Sequence, residues 1–188
     1  MLFERSALHQ TSFKASFVNA PTFSAPPVQM TWANQQATQH AAQALAQVAS
    51  IGQALIELHG GLGAGKTTFV RYLLQALGVT GHIKSPTYAI AESYETAAFP
   101  VWHFDFYRFN DPLEWEDAGF RDIFATQGLK LVEWPEQAEG LLPTPDLKLF
   151  ITSDPQQQQR LVQLHTMTAL GQSILQSWMQ NLQQTKNT

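Results

Sequence analysis

The sequence predicts an α/β fold, with a central parallel sheet, flanking antiparallel strands and helices on both faces. Three observations predict it. Through the first half of the chain, apolar residues at helical spacing alternate with short apolar runs, the pattern of strand–helix units. A glycine-rich turn, Gly60–Gly65, sits between one such run (54–59) and a helical stretch that opens at Lys66. Beyond residue 100, runs of strand character dominate, which adds antiparallel strands to the sheet.

Taken in order, residues 1–30 carry Pro21, Pro26 and Pro27 among Ser, Thr and Ala, with isolated Phe3, Phe13, Phe17 and Phe23. No period is sustained there, so a flexible leader is expected. Residues 31–167 are read as one domain, and 168–188 as a closing helix and tail. Ala42, Leu45, Ala46, Val48 and Ala49 line one face of a helix expected over 38–50, with Gly52 as its stop. A strand at 54–59 and the glycine turn follow. The next helix carries Phe69, Val70, Leu73, Leu74 and Leu77 on one face and ends before Gly78. An alternating run to Tyr94 and the mostly apolar 101–107 read as strands around a turn at 95–100. Asp111-Pro112 opens a helix with proline at its start, and Gly119 interrupts it before a further helical turn at 120–124. Residues 129–134, 147–152 and 160–167 read as strands. Asp154-Pro155 turns between the last two, and the four glutamines 156–159 belong to that loop. In the closing helix Leu170, Ile174, Leu175, Trp178 and Leu182 share one side.

Composition bounds the function. The 188 residues suffice for one sizeable core. A net charge of −4 argues against a free-standing nucleic-acid binder, which needs a basic face. The chain has no cysteine, which removes disulfides, zinc ribbons and thiol nucleophiles and fits a reducing cytoplasm. No apolar run approaches the roughly 18 residues of a membrane span, and no secretory signal is visible, so a cytoplasmic location is expected.

The chemistry lies in the turn. Gly60, Gly65, Lys66 and Thr67 fit the spacing G-x-x-x-x-G-K-[ST] without a gap, which narrows the expectation to a phosphate-loop (P-loop) NTPase fold. Glycines let successive backbone N–H groups point into one concavity, and the helix behind adds its positive dipole end. Gly61, Leu62, Gly63, Ala64, Gly65, Lys66, Thr67 and Thr68 are therefore expected to cradle a nucleoside triphosphate. Lys66 is expected on the β and γ phosphates and the Thr67 hydroxyl on Mg²⁺. Hydrolysis needs more: a second carboxylate for the metal and a group that orients water. Two apolar strands end in an acid, at Asp105 and at Glu133, where ligands of an open α/β sheet sit. The spacing leaves open which of them touches the metal. Ser85-Pro86-Thr87 offers hydroxyls that a γ-phosphate could order, although the same residues make ordinary turns. His103 reads as a core histidine. Arg108 either neutralises phosphate or pairs with an acid such as Asp111.

These segments together resemble one family, the TsaE (YjeE) ATPases of bacterial tRNA threonylcarbamoyladenosine biosynthesis. The matching pieces are Gly63-Ala64-Gly65-Lys66-Thr67-Thr68, Lys84-Ser85-Pro86-Thr87-Tyr88, His103-Phe104-Asp105-Phe106-Tyr107-Arg108 and Glu133-Trp134-Pro135-Glu136, over roughly residues 35–153. The last three, in this order, are much more specific than the first. The resemblance implies an ATPase working with TsaB and TsaD, which transfer a threonylcarbamoyl group to adenosine 37 of tRNA. Contact with tRNA would then be indirect, through the complex. It further implies that Lys66, Asp105 and Glu133 are catalytic, that Thr67 and Glu133 serve the metal, and that Trp134 lies beside the nucleotide. Gly61 departs from the family's usual Asp and loosens the front of the loop. Adenine specificity rests on the resemblance, with Gln35–Thr38 as the expected base-side wall. The alternatives are a small-molecule kinase, a Ras-like GTPase (against which the missing guanine-reading Asn-Lys-x-Asp speaks) and a non-catalytic ATP-binding module.

Overall fold

The computed structural model describes residues 26–154, 156 and 159–184. Of the expected leader, residues 1–25 with all four phenylalanines lie outside these, as do Pro155, Gln157, Gln158 and residues 185–188. The chain enters the sheet as β1 (Val28–Trp32), so Val28, Gln29 and Met30, expected in the leader, are strand. Val28, Met30 and Trp32 turn inward and Gln29 and Thr31 outward, the two-residue period of a strand with one face on the core.

Asn34 caps α1 (Gln35–Ala46), its Oδ1 accepting the Ala37 N–H at 2.9 Å. The helix therefore starts three residues before the expected position and ends at Ala46. A 3-10 turn (Ile51–Gln53) leads into β2 (Leu55–His59), and α2 (Lys66–Ala76) follows the glycine turn. β3 (Ala91–Glu95) begins late because Ile90 sits at φ +64°, a left-handed conformation that breaks an extended run. Then come β4 (Pro100–Asp105), α3 (Pro112–Asp117) capped by Asp111, and α4 (Phe120–Ala125). β5 (Leu129–Glu133) stops one residue short of the expected end because Trp134 takes φ +56°. An unexpected 3-10 turn, Pro135–Ala138, continues from it. β6 (Leu147–Asp154), β7 (Gln159–Thr166) and α5 (Ala169–Gln184) complete the described chain.

The seven strands form one sheet in the order β1-β7-β6-β2-β5-β4-β3. The inner run β6-β2-β5-β4 is parallel, and β1, β7 and β3 pair antiparallel at its two sides. The expected fold class is thus observed. On one face α1, α2 and α5 bury the larger core, in which Phe69 stacks on Trp32 at 5.0 Å and meets Trp178 at 6.1 Å. On the other face α3 and α4 cover Leu55, Phe104 and Val132 with an aromatic cluster around Phe106, Trp115 and Phe120. The closing helix is integral to the first core: Trp178 is fully buried and its Nε1 donates to Ala41 O at 2.8 Å.

Asp146 ties three elements at the lower end of the sheet. Its carboxylate accepts the Leu55 N–H at 2.9 Å and the Thr168 hydroxyl at 2.5 Å, and Thr168 Oγ1 accepts the Gly171 N–H at 3.0 Å. A Cβ on Gly171 would lie 1.9 Å from Asp146 O. Gly171→Ala is therefore expected to lower stability by about 1–3 kcal/mol, as overpacking does. Denaturant unfolding measures this, and a wild-type midpoint would exclude the close approach.

Candidate functional site

The parallel strands end together. Register pairs Leu58 of β2 with Glu133 of β5, and Glu133 with Asp105 of β4, so both acids stand level with the start of the glycine turn. Strand alternation puts His103, Asp105 and Glu133 on the face that carries α2. All three are buried, as is Lys66.

The turn itself is shaped by glycine conformations. Gly63 and Gly65 have φ +78° and +109°, and α2 starts directly after Gly65 with no side-chain cap on its first N–H groups. Uncapped amides at a helix start form an anion site. Lys66 lies folded across the turn: its Nζ donates to Gly60 O at 2.5 Å and Gly61 O at 3.1 Å, and sits 3.8 Å from the Trp134 ring centre. Burial pushes the Lys66 ammonium below its ordinary pKa, and the charges of Glu133, Glu136 and Asp105 work against that shift.

The Thr67 hydroxyl donates to Glu133 Oε2 at 2.9 Å, while Oε1 of the same carboxylate lies 2.9 Å from His103 Nε2. Asp105 Oδ2 accepts the hydroxyls of Ser85 and of Thr87 (2.7 Å), and its Oδ1 accepts the Tyr107 N–H at 3.0 Å. Asp105 thereby holds the Ser85-Pro86-Thr87 segment against the turn. Trp134, in its left-handed conformation, aims its ring under Lys66 and packs 4.9 Å from Tyr107. Arg108 lies over the Tyr88 ring at 4.4 Å, and Asp111 is used as a helix cap.

Two clefts meet here. One of about 290 Å³ is lined by residues 62–68 together with Ser85, Thr87, Asp105, Glu133 and Trp134. The other, about 530 Å³, shares Ala64, Gly65, Thr68 and Arg160 with it and extends to Trp32, Gln35 and Thr38. Of the residues expected in the cradle, Gly61 lines neither cleft; its carbonyl holds Lys66 instead. Sequence reasoning missed Trp32, Asn34, Ser153, Asp154 and Arg160 as cleft residues. The pairing of β1, β6 and β7, with the start of α1 just after β1, brings them there, and no local spacing signals it. It also read His103 as ordinary core.

The hard oxygen donors Thr67 Oγ1 and Glu133 Oε2 stand side by side at the anion site. That pairing fits Mg²⁺, which takes one or two protein oxygens and fills its octahedron from water and phosphate.

On the opposite face of β2, His59 connects Glu57 (3.0 Å) with Glu136 (3.5 Å), and Lys148 pairs with Glu57 at 3.0 Å. The residue that precedes the turn is thus tied to the segment after Trp134. Burial pushes the Glu57 carboxyl up, but hydrogen bonds from His59 and Lys148, with their charges, outweigh it and hold the group below its ordinary value.

A glycine turn before an uncapped helix, faced by strand-end acids, defines a P-loop nucleotide-binding protein of α/β class. Within that class, the chain belongs to the TsaE family, whose model, threonylcarbamoyl adenosine biosynthesis protein TsaE, matches residues 32–162. It is 41% identical over 124 residues to the tRNA threonylcarbamoyladenosine biosynthesis protein TsaE of Haemophilus influenzae, covering 66% of this chain and 77% of that one. The Bacillus subtilis protein of the same name is 37% identical over 145 residues, 76% and 87% of the two chains. Among solved structures, that of Bacillus subtilis YdiB superposes with a TM-score of 0.68 at 26% identity, covering 84% of this chain and 98% of that one.

A Cβ on Gly60 would lie 2.2 Å from Ile151 O at a φ of +141°, whereas on Gly61 it would meet nothing within 4 Å. Gly60→Ala should abolish nucleotide binding, while Gly61→Asp should keep binding and stay within about 0.5 kcal/mol of wild-type stability; calorimetric titration and thermal melts decide. Glu57, held low in the fold, contributes stability that is complete above its unfolded-chain pKa and is lost as pH falls through the lowered value. Wild type should thus exceed Glu57→Gln in stability at neutral pH, with the gap closing on acidification. Parallel acid-unfolding curves for the two would exclude the linkage.

Proposed function

We propose that this chain is a Mg²⁺-dependent ATPase that supports TsaB and TsaD in forming N6-threonylcarbamoyladenosine at position 37 of tRNA, in the cytoplasm. The observation that carries the ATPase reading is the Thr67–Glu133 hydrogen bond: the loop hydroxyl and the strand-end carboxylate already share the place where a phosphate-bound Mg²⁺ belongs. The named pathway is supported by the family and by the names of the Haemophilus influenzae and Bacillus subtilis relatives.

In this reading the triphosphate lies along residues 62–68 against the uncapped amides of α2, and the base enters the larger cleft beside Gln35 and Thr38. Lys66 Nζ exchanges the carbonyls of Gly60 and Gly61 for phosphate oxygens. Thr67 and Glu133 would hold Mg²⁺, which when bound would supply positive charge against that developing on the phosphoryl oxygens. Glu133 orients its carboxylate toward Thr67 and the metal. Asp105, already accepting three hydrogen bonds, orients the attacking water once Ser85 or Thr87 turns its hydroxyl to the γ-phosphate.

ATP turnover by the full chain, alone and with TsaB, TsaD and tRNA, tests the proposal, with GTP as control. The partners should stimulate ATP hydrolysis. Lys66→Ala should weaken triphosphate binding. Glu133→Gln should still bind ATP but turn over on the order of a hundredfold more slowly, as loss of a charge-stabilising group does. Undiminished turnover in Glu133→Gln would remove its role, and indifference to the partners would remove the pathway.

A further inference from the structure

His103 has a cost that its packing does not explain. Its side chain is fully excluded from water, yet among the described residues its Nδ1 has no hydrogen-bond partner. An imidazole stripped of water on one nitrogen destabilises a core that an aliphatic side chain would fill without that penalty. A histidine kept only as a satisfied core residue would have both nitrogens paired. Here the whole polar function of the ring is spent on one contact, 2.9 Å from Nε2 to Glu133 Oε1. An ionised carboxylate only accepts, so the hydrogen of this contact is carried by Nε2.

The direction of that contact matters. Glu133 has two oxygens with separate partners: Oε1 takes the buried ring, Oε2 takes the Thr67 hydroxyl at 2.9 Å. His103 lies two residues before Asp105 on β4, and Asp105 is paired with Glu133, so the ring reaches the carboxylate diagonally across the parallel pair. A ring fixed inside the sheet thus sets the plane of a carboxylate at its rim. Without it, Glu133 is free to rotate about its side-chain bonds and present either oxygen, or neither, to Thr67.

We propose that His103 is the positioning residue of the metal-linked carboxylate: it locks Glu133 so that Oε2 alone faces Thr67 and the Mg²⁺ of a bound nucleotide. This rests on the ATPase reading above and adds to it a group that never touches nucleotide or metal.

Three variants of the full chain test it. His103→Gln keeps an N–H near the Nε2 position. His103→Asn carries the same amide on a shorter arm and falls short of Glu133 by about one 1.5 Å carbon–carbon bond. His103→Leu removes the donor. Binding of a fluorescent ATP analogue is measured first in EDTA and then across a Mg²⁺ titration. In EDTA all three should bind as wild type does. The apparent Mg²⁺ affinity should fall about 10–100-fold in Asn and Leu, the usual effect of losing an outer-shell partner, and be largely rescued in Gln. In a Glu133→Gln background, His103→Leu should add nothing, because the two act through one contact. If Leu does not fold, the Gln–Asn pair still decides, since the two differ only in reach.

Wild-type Mg²⁺ affinity in Asn and Leu would overturn the inference. So would loss of EDTA binding in parallel with Mg²⁺ affinity, or an equal effect of His103→Leu with and without Glu133, either of which marks a purely structural residue. Wild-type binding indifferent to Mg²⁺ would instead overturn the metal reading itself, and this inference with it.

Discussion

The register of β2, β5 and β4 is the constraint on which the site depends. With Leu58 opposite Glu133 and Glu133 opposite Asp105, the loop and both acids share one level and one face. Because side chains alternate along a strand, a slip of one residue in β5 would turn Glu133 to the aromatic core and Val132 to the nucleotide side. The pattern of burial resists that slip. Leu129 and Leu131 pack under the α1–α2–α5 layer, while Val132 packs under α3 and α4, so both faces of β5 specify the same alignment. The asymmetry of the two cores thus fixes the chemistry at the strand ends.

Around that level the charges form a compact, mutually dependent set. Lys66 is buried among Glu133, Glu136 and Asp105 and is held by two carbonyls and an indole ring. The two carbonyls come from the glycine turn and the ring from the end of β5, and two local features supply the geometry. Gly60, backed against Ile151, leaves its carbonyl where Lys66 reaches it. Trp134, in a left-handed conformation that non-glycine residues rarely adopt, turns its ring beneath the ammonium. His59 then links Glu57 to Glu136 on the far face of β2, so the segments before and after these two points are joined as well.

Much of this was legible in the chain. The P-loop spacing located Lys66 and Thr67, and strand-end position singled out Asp105 and Glu133 before any partner was visible. What stayed hidden depends on pairing between distant segments. β1 carries a clean alternation, Val-Gln-Met-Thr-Trp, but five residues behind Pro26-Pro27 are too short to stand out without the edge of β7 to receive them. The larger cleft draws residues from β1, α1, β6 and β7, and no spacing predicts such a meeting. His103 reads as core because its sequence context is apolar; the diagonal to Glu133 gives the polar ring a partner there. The start of β3 and the end of β5 differ from the sequence pattern because Ile90 and Trp134 take positive φ values with no glycine to announce them.

The placement of α5 bears on how the fold is assembled. Trp178 fills the core between α1 and α2 and donates to a carbonyl 137 residues earlier, and β1 pairs with β7 across a comparable span. Contacts of such separation carry a loop-closure entropy that nearer contacts do not, so chains rich in them fold slowly. In chain order, α1, α2 and the parallel strands all precede the helix that carries Trp178, so none of them can cover the groove it fills. The last described helix thus closes over some of the earliest apolar surface of the chain.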